Sequence, residues 1–161
     1  MSGYGGVARG RLAAERKSRR QNRPYGFVAK PETGPDGSVN LMRWKCFIPG
    51  KAGTDWEGGH YPLTLVFSED YPNIPPSCKF PCGFLHPNVS DYSGRVCLSI
   101  IDNDWTPAIT VKQILVGIQN LLDDPNPNSP KNGGFSNIFV KDRDEYKRKV
   151  RLQAKQYPLS V

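Results

Sequence analysis

The segment HPNVSDYSGRVCLSI, residues 86–100, carries the residue types of a nucleophilic site. Cys97 follows a polar, glycine-containing loop that begins with His86, Pro87 and Asn88. A cysteine reacts as its thiolate and can attack a carbonyl carbon without a strong neighbouring base. An asparagine side-chain amide can donate a hydrogen bond to the oxyanion that develops during acyl transfer. Cys97 is therefore a candidate nucleophile, and Asn88 is a candidate oxyanion donor.

The charges around Cys97 bear on its reactivity. Its flank, GRVCLSI, contains Arg95 and no close acidic residue, so we expect a local field that favours the thiolate. No carboxylate is spaced to form a triad with His86, for which a buried imidazole that braces the loop is a better interpretation than a general base. A thiol can simply fill space where apolar residues and prolines surround it, as they do at Cys46, Cys78 and Cys82.

A metal site is the alternative use of these cysteines. The pattern Cys78-x3-Cys82-x3-His86, followed by Cys97, offers four possible zinc ligands. Its spacing differs from that of a paired Cys-x2-Cys knuckle, and the prolines at 81 and 87 prevent the regular helix that would align residues four apart. We therefore predict no metal site.

Length and composition restrict the class of protein. A chain of 161 residues suits one domain, which would bury roughly 70% of the surface of its unfolded form. We expect one domain over residues 1–161, with residues 1–6 as a flexible tail. Four cysteines without an apolar leader favour free thiols and a location in the nucleus and cytoplasm. No apolar run approaches the roughly 18 residues that span a bilayer, so no membrane association is predicted.

Positive charge is concentrated at the two ends of the chain, whose formal net charge is +7. Basic residues recur between Arg9 and Arg23 and again between Lys141 and Lys155. Such ends attract nucleic acid, acidic lipid or acidic protein equally well. Because the sequence has no clear aromatic-basic RNA motif or recognition helix, we expect only weak, sequence-independent binding of nucleic acid.

Apolar periodicity predicts a helix followed by strands. Residues 7–22 are rich in helix formers and end before Pro24, which disfavours helical geometry at the residue preceding it. The middle of the chain alternates between apolar and polar residues with a period of two, which is typical of half-buried strands. This alternation and its proline-rich continuation predict strands at residues 42–48, 61–67 and 77–80.

Helical spacing returns after residue 110. Thr110 and Gln113 match a capping box, and an apolar stripe follows at Val111, Ile114, Leu115, Ile118 and Leu122. The segment DDPNPNSP ends this helix. Apolar residues then predict a short helix near Phe135–Phe139 and a longer one between Tyr146 and Tyr157. The order of helix, antiparallel strands and further helices predicts an α+β fold.

The motifs HPNV, GRVCLSI, DWTPAITVKQILVGIQNLL and DPNPNSP, with the basic C-terminal helix, resemble the ubiquitin-conjugating enzyme family from residue 7 to the C-terminus. Within that family the similarity is greatest to the SUMO-conjugating branch, through RLAAERKSRR, PYGFVAKP and NLMRWKCFIPGKAGTDWEGGHYPL. The resemblance implies the ubiquitin-conjugating fold: an N-terminal helix, an antiparallel β-meander of about four strands, a central helix and C-terminal helices.

The resemblance also implies a reaction. Cys97 would accept the C-terminal carbonyl of a SUMO-type modifier from an activating enzyme as a thioester, and a substrate lysine would then attack that thioester. His86 would hold the loop, while Asn88 would either donate to the oxyanion or position the loop. The position of the family's lysine-assisting aspartate is occupied by Ser129, for which Asp91 or Tyr92 is a possible substitute. No cofactor is implied, since ATP is consumed by the activating enzyme.

Partners follow from the same resemblance. The modifier and the activating enzyme would meet a basic set on the N-terminal helix: Arg16, Lys17, Arg20 and Arg23. Ligases would grip two loops that contain Ile74, Pro75, Pro76, Trp105, Pro107 and Ala108. The remaining partners are lysine-bearing substrates, and a monomer is expected. The loop after Cys97 is two residues shorter than in SUMO-conjugating enzymes, which leaves a ubiquitin carrier as the first alternative and an inactive scaffold of the same family as the second.

Overall fold

The computed structural model describes residues 6–159, which form one antiparallel sheet and a set of helices. The sheet has the order β1-β2-β3-β4, and consecutive strands are hydrogen-bonded neighbours. The strands are β1 (Val28–Thr33), β2 (Val39–Pro49), β3 (His60–Val66) and β4 (Ser77–Lys79). The helices are α1 (Gly6–Gln21), α2 (Val111–Asp123), α3 (Gly133–Lys141) and α4 (Arg143–Gln156), with a short 3-10 helix at Ser99–Ile101. This architecture confirms the predicted α+β fold and its β-meander.

The hydrophobic core lies between the sheet and α2. Alternate residues of β2 and β3 are fully buried, and so is the apolar stripe of α2, which contacts β2. The alternation of the sequence is therefore the alternation of the two sheet faces. The capping box also forms, because the Gln113 backbone N–H donates to Thr110 Oγ1 (3.2 Å) and the Thr110 N–H donates to Gln113 Oε1 (2.9 Å).

Two details of the predicted elements change. Strand β1, VAKPET, shows no alternation of its own, and the register of its pairing with β2 shifts between Pro31 and Glu32. Its place in the sheet depends on hydrogen bonds to β2, which local sequence does not encode. Of the tail predicted at residues 1–6, Gly6 is the first residue of α1, and residues 1–5 lie outside the described residues. No helix between residues 6 and 159 has the length and apolar character needed to cross a membrane.

A buried carboxylate joins α1 to the rest of the fold. Glu15 is 9% exposed, and its Oε1 accepts the Val111 N–H at the first turn of α2 (2.6 Å). Its Oε2 accepts both the Tyr71 hydroxyl (2.5 Å) and Arg11 Nε (3.2 Å). Acidic groups are favoured at a helix N-terminus, where backbone N–H groups have no intrahelical acceptor. Glu15 therefore positions α1 against α2 and the loop that follows β3.

Replacing Glu15 by glutamine is expected to lower the free energy of unfolding by about 2 kcal/mol, because a neutral amide cannot accept all three charge-assisted hydrogen bonds. Chemical denaturation measures the change. The matched control is Glu69→Gln, which removes an exposed ion pair with Arg9 and should change the free energy by less than about 1 kcal/mol. Equal effects at the two positions would contradict the structural role assigned to Glu15.

Candidate active site

His86 is a buried structural element of the turn that leads towards Cys97. It has no exposed surface, its Nε2 donates to the Leu121 carbonyl in α2 (2.8 Å), and its Nδ1 accepts the Asn88 backbone N–H (3.0 Å). Burial lowers the pKa of His86 to about 4, so the imidazole is neutral near pH 7. Since both ring nitrogens are engaged, the structure places His86 in the bracing position and not in that of a general base or metal ligand.

Asn88 connects the same turn to the loop between α2 and α3. Its Nδ2 donates to the carbonyls of Asn126 and Ser129 (2.8 Å each), and its Oδ1 accepts the Asn126 N–H (2.8 Å). The side chain is fully buried. Both amide hydrogens are therefore already donated to backbone carbonyls. Of the two roles that the sequence left open, this geometry supports positioning of the loop more than direct donation to an oxyanion.

Backbone hydrogen bonds strengthen this connection. The Pro87 carbonyl accepts the N–H groups of Lys131 (2.8 Å) and Asn132 (3.3 Å), the latter being the N-cap residue of α3. The Cys97 N–H donates to the Asn88 carbonyl (2.9 Å), which places the thiol next to the turn. The motif HPN and the segment around residues 126–132 therefore form one hydrogen-bonded unit that carries Cys97 on its edge.

The Cys97 side chain is half-buried and lines an open cavity of about 490 Å³. Three charged side chains share this cavity with the thiol: Arg95, Asp102 and Lys131. The remaining lining residues are Ser90, Ser93, Val96 and Asn103. An accessible sulfur beside charged side chains is suited to a covalent intermediate that a second reactant must reach.

Asp102 is a site residue that the sequence analysis missed. Its Oδ2 accepts the Leu98 N–H (3.0 Å), so the short 3-10 turn after Cys97 brings the carboxylate back towards the thiol. Its Oδ1 lies 3.9 Å from Arg95 Nη2. One sequence signal could have identified Asp102: it is an aspartate at the end of a one-turn segment, where a side chain often accepts a backbone N–H. Lys131 was missed too, because it reaches the cavity only through the Pro87 hydrogen bond.

The expectation that the local field favours the thiolate is wrong. Partial burial raises the pKa of Cys97, and the Asp102 carboxylate raises it further through its charge and a hydrogen bond. Lys131 and Arg95 lower this pKa without reversing its direction. The sequence indicated Arg95 as the nearby charge but did not indicate that Asp102 returns to the same cavity. Cys97 is therefore a thiol near neutral pH, and nucleophilic attack by its sulfur would require loss of the thiol proton.

Replacing Asp102 by asparagine is expected to lower the pKa of Cys97, because the amide still accepts the Leu98 N–H but carries no charge. Below the thiol pKa, each unit of decrease raises the thiolate fraction about tenfold. Iodoacetamide alkylation as a function of pH, in a Cys82→Ser background, should therefore show a faster reaction at pH 7 and a midpoint at lower pH. Asp104→Asn, in the same loop but outside the cavity lining, serves as control, and coincident profiles for all three proteins would contradict the assignment.

Two of the three other cysteines are buried, as expected for thiols that fill space, and the third is not. Cys46 and Cys78 are buried, and desolvation raises the pKa of both, to about 12 for Cys46. Cys82 is exposed, so the prediction that it fills space inside the protein is wrong. It follows Pro81 at the end of β4, where the chain leaves the sheet. Among residues 6–159, no group of three or more histidine, cysteine or acidic residues could hold a metal ion.

The residues considered for assisting the lysine do not line the Cys97 cavity. Ser129 is half-buried, and its carbonyl, not its side chain, makes the contact with Asn88. Asp91 is exposed, and its carbonyl accepts the Gly83 N–H (3.3 Å). Tyr92 is 90% exposed. The cavity therefore receives its carboxylate from Asp102.

A family model described as ubiquitin-conjugating enzyme matches residues 11–154, which include the HPN turn, Cys97 and all of α2. The chain belongs to the ubiquitin-conjugating enzyme family. The predicted family resemblance is confirmed, and the chain is an enzyme of the transferase class.

Individual relatives of this ubiquitin-conjugating enzyme cover nearly its whole length. The SUMO-conjugating enzyme SCE1 of Arabidopsis thaliana is 67% identical over 158 residues, which are 97% of this chain and 98% of that protein. The Sumo-conjugating enzyme ubc9 of Dictyostelium discoideum is 52% identical, over 95% of this chain and 97% of that protein. A solved ubiquitin conjugating enzyme domain from Toxoplasma gondii superimposes with a TM-score of 0.81 at 32% identity, over 93% of this chain and 99% of that one.

The basic side chains predicted to meet partners lie at the C-terminal end of α1 and just beyond it. Arg16 is half-buried, while Lys17, Arg20 and Arg23 are exposed. Arg16, Lys17 and Arg20 line a shallow cavity together with Val39 and Leu41 at the start of β2. The structure thus brings these cations together beside an apolar patch.

The two loops predicted to bind ligases are adjacent. Trp105 Nε1 donates to the Pro72 carbonyl (3.0 Å), and the Trp105 ring packs near that of Tyr71. Arg11 fixes the second loop by donating to the Pro107 carbonyl (2.7 Å). Three of the predicted residues are exposed, namely Ile74, Pro107 and Ala108, and two are half-buried, namely Pro75 and Trp105. The prediction that Pro76 contacts a ligase is wrong, because Pro76 is buried beneath the loop and offers no surface to a partner.

Proposed function

We propose that this ubiquitin-conjugating enzyme is a SUMO-type carrier, with Cys97 as the residue that bears the modifier. The observation that carries the proposal is the position of Cys97, whose thiol lines an open cavity while its backbone is bonded to the HPN turn. The SUMO type is supported by the 67% identity with the Arabidopsis enzyme over nearly the whole of both chains. One catalytic domain is proposed to span the chain.

The reaction has two acyl transfers. In the first, the Cys97 sulfur attacks the C-terminal carbonyl carbon of the modifier held as a thioester on the activating enzyme. The Cys97 thiol loses its proton, and the activating enzyme's cysteine leaves as a thiolate that takes up a proton. In the second, a substrate lysine nitrogen attacks the new thioester carbonyl, the Cys97 thiolate leaves, and the nitrogen gives up a proton. Cys97 returns to its starting state, and ATP is consumed only upstream, so no resident cofactor is needed.

The incoming lysine must be neutral when it attacks. Its reference pKa of about 10.4 leaves the amine almost wholly protonated near neutral pH. In the proposed mechanism Asp102 accepts a hydrogen bond from the lysine amine in the Cys97 cavity and orients it for attack, while partial desolvation favours the neutral amine. Asp102 thereby supplies the carboxylate that is missing at position 129, where the residue is a serine. Asn88 holds the loop around residues 126–129 that forms the neighbouring wall.

The partner surfaces follow from exposure and charge. Arg16, Lys17, Arg20 and Arg23 are proposed to bind the modifier and the activating enzyme, since a cationic cluster accelerates encounter with an acidic surface. The adjacent loops at Ile74–Pro75 and Trp105–Ala108 are proposed to bind ligases. The proposal also includes lysine-bearing protein substrates, a monomeric state, and activity in the nucleus and cytoplasm, without specific nucleic-acid or membrane binding.

A charging assay tests the proposal. The chain is incubated with ATP and either the SUMO-activating enzyme with SUMO or the ubiquitin-activating enzyme with ubiquitin. A thiol-reducible adduct with SUMO alone is the expected result. An adduct with ubiquitin alone would favour the second candidate, a ubiquitin carrier, for which the shortened loop after Cys97 is the specific observation. No adduct with either modifier would favour an inactive scaffold and would overturn the proposal.

A further inference from the structure

Arg19 is a buried cation without a partner. Only 6% of the residue is exposed, and none of its three guanidinium nitrogens makes a hydrogen bond within the part of the chain that the structure describes. It lies in the last turn of α1, on the side that faces the sheet. From sequence alone, Arg19 does not differ from the other basic residues of a stretch that is typical of a solvated helix face.

A buried, unpaired guanidinium is energetically unfavourable. Desolvation lowers the pKa of Arg19, the neighbouring Cys46 raises it, and the positive charge of Arg23 lowers it again. Burial raises the pKa of Cys46 to about 12, so this thiol is neutral near pH 7 and supplies no counter-charge. An arginine nevertheless stays charged at any physiological pH, so loss of a proton cannot remove the unfavourable free energy of desolvation. Buried charges in proteins are normally paired with an opposite charge or fully hydrogen-bonded. A bound anion would therefore stabilise the buried charge of Arg19.

The side chain lines a cavity that has room for one. The cavity has a volume of about 290 Å³ and lies between the C-terminal half of α1 and strand β1. Four further cations line it: Arg16, Arg20, Arg23 and Lys30. The other lining residues are Ala29, Pro31 and Thr33, so no acidic side chain contributes to the wall. The C-terminal dipole of α1, equivalent to about half a negative charge, offsets only a small part of these five positive charges.

We infer that this cavity binds a small polyphosphate anion. Guanidinium groups match phosphate oxygens in a bidentate geometry, and several converging arginines favour a multiply charged ligand over a single carboxylate. The volume lies near the lower end of small-molecule sites, which start at roughly 300 Å³. An acidic surface of a folded partner meets the exposed rim at Arg20 and Arg23, whereas a compact anion enters far enough to reach the recessed Arg19.

Isothermal titration calorimetry with tripolyphosphate tests this inference. The titration uses the full chain at physiological ionic strength in a buffer free of phosphate. Arg19→Met, which keeps an unbranched apolar chain like the aliphatic part of arginine and removes the guanidinium charge, is expected to weaken binding about tenfold or more, since hydrogen bonds to charged groups are lost. Lys30→Met changes only an exposed residue of the cavity wall and should weaken binding several-fold without a folding defect.

The matched control is Arg9→Met, which removes one positive charge from the same helix outside the cavity and should bind tripolyphosphate as the unmodified chain does. In the absence of the anion, Arg19→Met should melt at the same or a higher temperature, because it removes an unpaired buried charge. Equal binding by all four proteins would indicate general charge attraction and would overturn the inference. So would unchanged tripolyphosphate binding in Arg19→Met together with weaker binding of the modifier, which would assign Arg19 to a protein-docking surface. The test uses no activating enzyme and is independent of the proposed carrier function.

Discussion

Replacing Cys97 by serine is expected to abolish every thiol-reducible adduct with the modifier and to leave either a reduction-resistant oxyester or no adduct. The serine hydroxyl occupies nearly the same space, so the HPN turn and its hydrogen bonds should persist. An oxyester is less reactive towards amines than a thioester, and transfer to lysine should therefore fall below detection. Non-reducing and reducing gels of the charging reaction measure both effects.

Cys82→Ser is the matched control, because Cys82 is the other accessible thiol between residues 6 and 159. It should charge and discharge at the rates of the unmodified chain. The two buried thiols, Cys46 and Cys78, are poor nucleophiles, since desolvation raises their pKa values. The assignment of Cys97 would be wrong if Cys97→Ser still formed a reducible adduct and Cys82→Ser did not.

Replacing Asn88 by alanine is expected to slow discharge to lysine about 10²-fold while charging changes only a few-fold. Alanine removes three hydrogen bonds that hold Asn126 and Ser129, so the wall beside Cys97 moves relative to the thioester. Misplacement of a reacting group by about 1 Å is enough for a loss of that size. Charging is less sensitive because the activating enzyme supplies its own surroundings. Single-turnover discharge to free lysine separates the two steps.

A second measurement distinguishes a positioning role for Asn88 from direct contact with the oxyanion. If Asn88 positions the loop, Asn88→Ala should make the backbone amide of Asn126 exchange its hydrogen rapidly with solvent. The same substitution should lower the free energy of unfolding by about 1–3 kcal/mol. Asn88→Asp keeps an acceptor for the Asn126 N–H but cannot donate to the two carbonyls, so it should show partial protection of that amide. Slow discharge with a fully protected Asn126 amide would instead support the oxyanion role.

Local pattern was sufficient for most of the secondary structure. The buried faces of β2 and β3 follow from period-two alternation, and α2 follows from its apolar stripe and the Thr110 capping box. These signals are readable because helix and strand periodicities act over a few neighbouring residues. Strand β1 is the exception, since VAKPET has no such pattern and depends on pairing with β2.

The candidate site could also be selected from sequence, since Cys97, Asn88 and His86 lie within a short motif that limits their possible geometry. The partners of that motif were not. His86 is bonded to Leu121, and Asn88 to Asn126 and Ser129, more than thirty residues further along the chain. The positioning of the loop by Asn88 could therefore be stated from sequence only as one of two alternatives.

Local sequence gave wrong expectations about the surroundings of charged and ionisable side chains, because electrostatic effects depend on distance in space and on burial. Cys97 has Arg95 beside it in sequence, yet Asp102 returns through a 3-10 turn and helps to raise the thiol pKa. Arg19 belongs to a run of basic residues that is typical of an exposed helix, yet packing of α1 on the sheet buries it. Residue types and spacing determined the fold and the family and selected Cys97 as the candidate nucleophile. Only tertiary packing decided which charges are exposed, paired or desolvated, since those properties arise from chain segments that meet after folding.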